Sequence, residues 1–214
     1  MSSVQINHRA KRLPRVPTPG ARERVLGAAY DLFSRRGIRA VGIDTIIARA
    51  GVAKMSFYRH FPSKDELVLA FLQKREQLWT HEWLEAEVNR RAPTSRERLI
   101  AIFDVFDEWF QQEDFEGCSF INVLLEIAEP SHPTRQATTA HLANIRVFLR
   151  VLADGAGVPR SDDFARKWHI LMKGSIVAAG EGDRLAARRA QDVGRLLLAA
   201  ELDGSRRQAH YQLA

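Results

Sequence analysis

The chain has a single cysteine, Cys118, among 214 residues, so no disulfide can form within it and stability must come from packing. No uninterrupted apolar run approaches the ~18 residues that a membrane span needs. No apolar stretch of signal-peptide length follows Met1, so a cytoplasmic protein with no membrane partner is expected. Catalytic signatures are missing as well: there is no Walker phosphate loop, no dinucleotide fingerprint and no nucleophile elbow. His81-Glu82-Trp83-Leu84-Glu85 comes near the zinc-protease pattern, but Glu85 stands where a second histidine would bring another ring nitrogen to the same metal. Neither an enzyme nor a cofactor is expected. Glu113, Asp114 and Glu116 should disfavour a thiolate at Cys118, leaving a buried free thiol.

Acidic residues are scarce in one region only. Residues 1–64 hold 13 Lys and Arg against 3 Asp and Glu, whereas residues 65–214 hold 19 against 23. With 45% hydrophobic and 27% charged residues, the chain can bury a real core in one or two domains. A basic segment ahead of a slightly acidic body is the charge footprint of a nucleic-acid-binding head. The plainer alternative is a solvated basic tail.

The stretch Ile43 to Phe61 organises the rest. Ile43, Ile46, Ile47 and Ala50 recur at i, i+3, i+4 and i+7, one apolar stripe on a short helix. Gly51 then allows a sharp left-handed turn, with Val52 plugging the corner. Lys54 to His60 read as a second short helix, with Phe57 and Phe61 inward and Lys54, Ser56, Tyr58 and Arg59 outward. Two short helices joined this way form a helix-turn-helix, whose second helix offers polar groups to a DNA groove.

Those residues, with Arg22 to Gly37 before them and Tyr58-Arg59-His60-Phe61-Pro62-Ser63-Lys64-Asp65-Glu66-Leu67 after, resemble the DNA-binding domain of the tetracycline-repressor (TetR) family of bacterial transcription regulators. The resemblance covers residues 22–67, about a fifth of the chain. It implies an all-α fold: an N-terminal three-helix helix-turn-helix domain, then a C-terminal helical ligand-binding and dimerisation domain. We place a mobile basic arm at 1–17, the DNA-binding domain at 18–64 and the regulatory and dimerisation domain at 65–214. Three positions depart from the family pattern. Gly42 and Ala53 stand where hydroxyl side chains usually cap the second and third helices, and Met55 stands where a small residue is common.

By that resemblance, Ser56, Tyr58 and Lys64 are expected to bond backbone phosphates, and Arg49 to clamp the flanking backbone. Lys54 and Arg59 are expected at base edges, and Met55 at a thymine methyl or sugar carbons. Tyr58 also has a packing reading, and His60 reads as structural. The arm, with Arg9, Lys11, Arg12 and Arg15, is either a solvated tail or a strand of cations along the duplex.

Further along, Thr18-Pro19 reads as the start of the first helix and Gly37 as its end. Ser63 to Glu66 reads as a capping box that opens a long helix reaching about Arg91, ~40 Å of connector by the rise per residue. Thr94 to Glu97 reads as a second box, ahead of a helix lined by Leu99, Phe103, Phe106 and Phe110. Asn122 and Glu126 share a face of an apolar helix expected to run to about Ala128. The pair is either an interhelical network or the few polar groups of a ligand pocket. His141 and His169 carry the same two readings, and Phe106, Phe110 and Trp168 are candidates for the apolar lining. Pro133–Asp154 reads as a helix with Leu142, Ile145, Phe148, Leu149 and Leu152 inward, and Ser161-Asp162 as the cap of the next. Leu185 to Leu202 should form the last helix.

Two late helices with apolar and small faces suit a dimeric four-helix contact, with intramolecular packing alone as the alternative. The expected partners are therefore double-stranded operator DNA, a second copy through the two C-terminal helices, and a small, largely apolar effector. The expected function is a ligand-released homodimeric repressor. A non-specific DNA-binding protein and an all-helical enzyme stand as the other readings.

Overall fold

A computed structural model describes residues 19–212, with side chains to residue 203. The expected arm, residues 1–17, and the expected cap Thr18 lie outside the described residues. Helix α1 spans Ala21–Arg36, beginning later than a Pro19 start would put it. Gly20 is the N-cap, and the Glu23 carboxylate accepts its N–H at 3.0 Å. Gly37 ends α1 at φ +76°, a conformation that side-chain-bearing residues avoid. Helix α2 (Ile43–Ala50) and helix α3 (Lys54–His60) follow, separated by Gly51 in the left-handed region as the sequence predicts.

This trio closes over its own apolar residues. Val25, Ala29, Phe33, Ile46, Phe57 and Phe61 are all buried, and burying each larger side chain contributes about 1.5–3 kcal/mol. Arg24 Nε donates to the Ala50 carbonyl at 3.2 Å, tying α1 to the end of α2.

A continuous helical rod then leads away. It comprises α4 (Lys64–Arg75), a π-helical segment (Glu76–Glu85) and α5 (Ala86–Arg91), with αR backbone at both junctions. The rod reaches the predicted Arg91, but its widened middle is not foreshadowed by the apolar spacing. Only half of the expected box at its start forms: the Ser63 hydroxyl accepts from Glu66 N–H at 3.1 Å. At the next helix, α6 (Ser95–Phe110), Thr94 and Glu97 make both bonds.

The body is completed by α7 (Ser119–Glu126), α8 (Pro133–Gly155), α9 (Ser161–Gly180) and α10 (Ala186–Gln212). Helix α7 stops short of the expected Ala128, where Ile127 turns extended and Arg135 Nη1 donates to the Leu124 and Ile127 carbonyls. Ser161 is the first residue of α9 and not its cap; Arg160 holds that position without a side-chain bond. Helix α6 packs between α8 and α10, α9 packs on α8 and α10, and α4 packs on α1 and α8. Gly194 permits the close approach of α10, since a Cβ there would lie 2.9 Å from the Trp168 ring.

Candidate nucleic-acid interface

Helix α3 is anchored on one side and offered on the other. Phe57 is fully buried and Ser56 and His60 are half-buried beside it, while Lys54, Met55, Tyr58 and Arg59 are exposed. The exposed positions recur at i, i+1, i+4 and i+5, so they share one helix face. Met55 is 77% exposed, so its thioether is free to touch a surface laid on this face. Tyr58 is 40% exposed and sets its ring edgewise on Phe57, with centroids 5.2 Å apart. Packing and surface roles therefore coexist in that residue.

The cations around this face are held lightly. Lys54 Nζ lies 3.7 Å from Asp44, and Arg49 lies 3.9 Å from Asp31, with all four side chains more than half exposed. Such surface pairs contribute about 0–1 kcal/mol, so phosphate oxygens can replace either carboxylate readily. Lys64 is half-buried at the start of α4. Gly42 and Ala53 cap α2 and α3 with no side-chain bond, leaving first-turn N–H groups available to an anion.

The three helices are gripped from the body at the α1–α2 turn. Glu126, at the end of α7, accepts the Ile38 and Arg39 N–H groups at 3.2 and 2.7 Å. Arg35 Nε meets Glu116 at 3.1 Å, and Arg75 Nη1 donates to the Tyr30 hydroxyl at 3.0 Å. These links were not anticipated from the sequence, in which Glu126 reads only as half of an i, i+4 pair.

The candidate ligand residues are dispersed. Phe106, Phe110 and Trp168 are buried in aromatic contacts of the core. His141 Nδ1 bonds Glu76 at the start of the π-helical segment, where Asn144 Nδ2 also donates at 2.7 Å. Asn122 borders a groove of about 480 Å³ between α7 and α9. His169 is buried with Nδ1 unpartnered among the described residues. Desolvation, helped by Lys173 and Arg146, pushes its pKa down to about 3, so the ring is neutral. Cys118 is buried, and burial pushes its thiol pKa up. The expected free thiol is there, but desolvation and not the acidic neighbours accounts for its protonation.

Comparison with known proteins decides the family. Residues 25–71 match the family model for bacterial regulatory proteins of the tetR family. Over 148 residues the chain is 37% identical to the transcriptional activator FasR of Mycolicibacterium smegmatis, covering 69% of this chain and 65% of that one. Over 117 residues it is 26% identical to the Escherichia coli repressor NemR, covering 54% of this chain and 58% of that one. The chain thus spans less than two thirds of these curated relatives. Among solved structures, a proposed TetR transcriptional regulator from Streptomyces avermitilis superposes with a TM-score of 0.76 at 30% identity, covering 86% of this chain and 98% of that one. The chain belongs to the TetR family. A TetR-family regulator from Streptomyces coelicolor agrees, with a TM-score of 0.75 at 28% identity over 85% and 95% of the two chains. The all-α TetR fold with its N-terminal helix-turn-helix is therefore the fold of this protein, and α3 occupies the recognition-helix position of that motif.

Proposed function

We propose that this TetR-family protein is a homodimeric operator-binding repressor that a small molecule releases from DNA. One observation carries the reading: α3 keeps Lys54, Met55, Tyr58 and Arg59 on an exposed face, while Phe57 fixes it to a packed trio. A helix so anchored can enter a major groove without paying to unfold its own core. In this reading Arg59 and Lys54 meet base edges, Met55 meets a methyl group, and Ser56, Tyr58, Lys64 and Arg49 position the backbone. The head is residues 18–64 and the regulatory body residues 65–214.

Dimerisation is supported by a second surface. Ile170 and Val177 on α9, with Val193 and Leu196 on α10, are exposed at 49–73%. Exposed apolar residues in such a row suit burial against a copy of the same two helices. Two heads would then read half-sites ~34–36 Å apart, or a multiple of that. An effector in the body would favour a spacing unsuited to the operator, through a coupling of about 1–3 kcal/mol. The identity to a named activator favours activation as a second reading, in which the same contacts recruit and do not block. A band-shift titration of duplex from upstream of the protein's own coding sequence, with transcription from it in parallel, separates the two. Repression requires transcript to rise when the protein leaves, and activation requires it to fall.

A further inference from the structure

A cleft of about 300 Å³ lies where the head meets the body, walled by α1, the π-helical segment, α6 and the turn after it. Its apolar side is built from three indoles. Trp79, Trp83 and Trp109 stand with centroids 5.3–5.7 Å apart and planes inclined by 48–67°, so their faces form a corner and not a stack. Trp79 and Trp83 project from the π-helical segment, a form usually confined to single turns and frequent at functional sites. Two atoms in the walls, Trp79 Nε1 and the Ser34 hydroxyl, are buried with no hydrogen-bond partner among the described residues. As plain packing the wall is incomplete.

The rim is acidic. Asp31, Asp114 and Glu116 line the cleft together with Arg35 and Arg75. Arg35 is paired with Glu116, whereas Arg75 is held at the Tyr30 hydroxyl and ring, neutral partners that leave its charge in place. Asp114 has no partner among the described residues, and Asp31 has only the 3.9 Å approach of Arg49. Aromatic faces carry negative quadrupoles and attract cations, more strongly when water is excluded. Indole faces beside a lining with one carboxylate more than its guanidinium groups favour a positive guest, and the volume matches a small one.

We propose that this cleft binds a flat organic cation of about two fused rings, and that the cation acts by displacing Arg35 from Glu116. Glu116 leads into α7, and Arg35 is in the last turn of α1, so the exchange removes one of the polar side-chain links between head and body. The proposal rests on the reading of the chain as a ligand-released DNA-binding regulator, and it assigns the effector's class and place.

The probe is N-methylquinolinium, with quinoline at pH 8 as its neutral counterpart and 2-naphthoate as its anionic one. Titration calorimetry on the full chain should show the cation binding at least tenfold more tightly than either control. Trp83→Ala and Glu116→Gln should each weaken it at least tenfold; Trp83 is half-buried and Glu116 lies in the irregular segment ahead of α7, and unchanged thermal unfolding checks that both variants fold. Operator affinity should fall at least fivefold with saturating cation, and Arg35→Ala should lower it without ligand. Glu116→Gln, which breaks the same pair, should also lower operator affinity without ligand and show no further fall when cation is added, which separates release from binding of the probe to duplex. Equal binding of the neutral control overturns the ligand class, and indifference to Trp83→Ala overturns the location. Binding without any change in operator affinity overturns the Arg35 exchange. Failure of the unliganded protein to bind its operator would instead overturn the functional reading itself.

Discussion

Glu126 and Gly37 fit one another closely: a Cβ on Gly37 would begin 2.5 Å from the Glu126 carboxylate, which accepts the next two backbone N–H groups. Hydrogen bonds to a charged acceptor are worth about 1.5–3 kcal/mol when partly shielded. Replacing Glu126 with alanine should lower stability by about 1–3 kcal/mol and speed hydrogen exchange at Ile38 and Arg39. Gly37→Ala should do at least as much damage, because it adds backbone strain to the displaced carboxylate. Urea unfolding and amide exchange check both, and unchanged exchange at Ile38 in Glu126→Ala would show that the contact holds nothing in place.

On the α3 surface, Arg59 and Tyr58 should fail differently. Loss of the Arg59 guanidinium should relax sequence choice, at about 1–3 kcal/mol for the base pair it reads. Tyr58→Phe should weaken all sites alike. Competition binding across a panel of single-base operator variants at several salt concentrations reads both, and the opposite pattern would exchange their roles.

For the dimer, Ile170→Glu combined with Leu196→Glu places charge in the exposed apolar row without touching the core. Sedimentation should move from dimer toward monomer, and operator binding should weaken with it. A variant that stays dimeric would assign the contact to another face.

Acid should unfold the protein partly through His169. Its pKa in the fold is about 3, below the ordinary 6.5, so the unfolded chain binds the proton first. Stability is therefore independent of this ring above pH 6.5 and falls between pH 6.5 and 3 by about 1.4 kcal/mol per unit. The slope of unfolding free energy against pH should be shallower by that amount in His169→Leu. An identical slope would mean that the ring gains a proton partner in the fold.

Local spacing carried much of this architecture. The Ile43 stripe, Gly51 and the Phe57–Phe61 pair mark α2, the turn and α3, because short amphipathic helices write their buried face into i, i+3 and i+4 positions. What could not be read there depends on contacts between distant segments. Glu126 reaches a turn 88 residues earlier in the chain, and nothing in its neighbours signals that. On α10, Val193 and Leu196 face outward while Ala187, Ala190 and Leu198 are buried. An apolar face does not state whether its partner is the same chain or another. The indole cleft was missed because Trp79, Trp83 and Trp109 come from two elements, and the π-helical segment that pairs the first two has no spacing signature.

Operator length tests the central claim most directly. With duplex from the upstream region footprinted and its half-sites located, about 5 bp inserted between them turns the second onto the opposite face of the helix. The account predicts that high-affinity binding is lost with 5 added base pairs and largely returns with about 10. Binding that ignores the insertion would contradict recognition by two fixed heads.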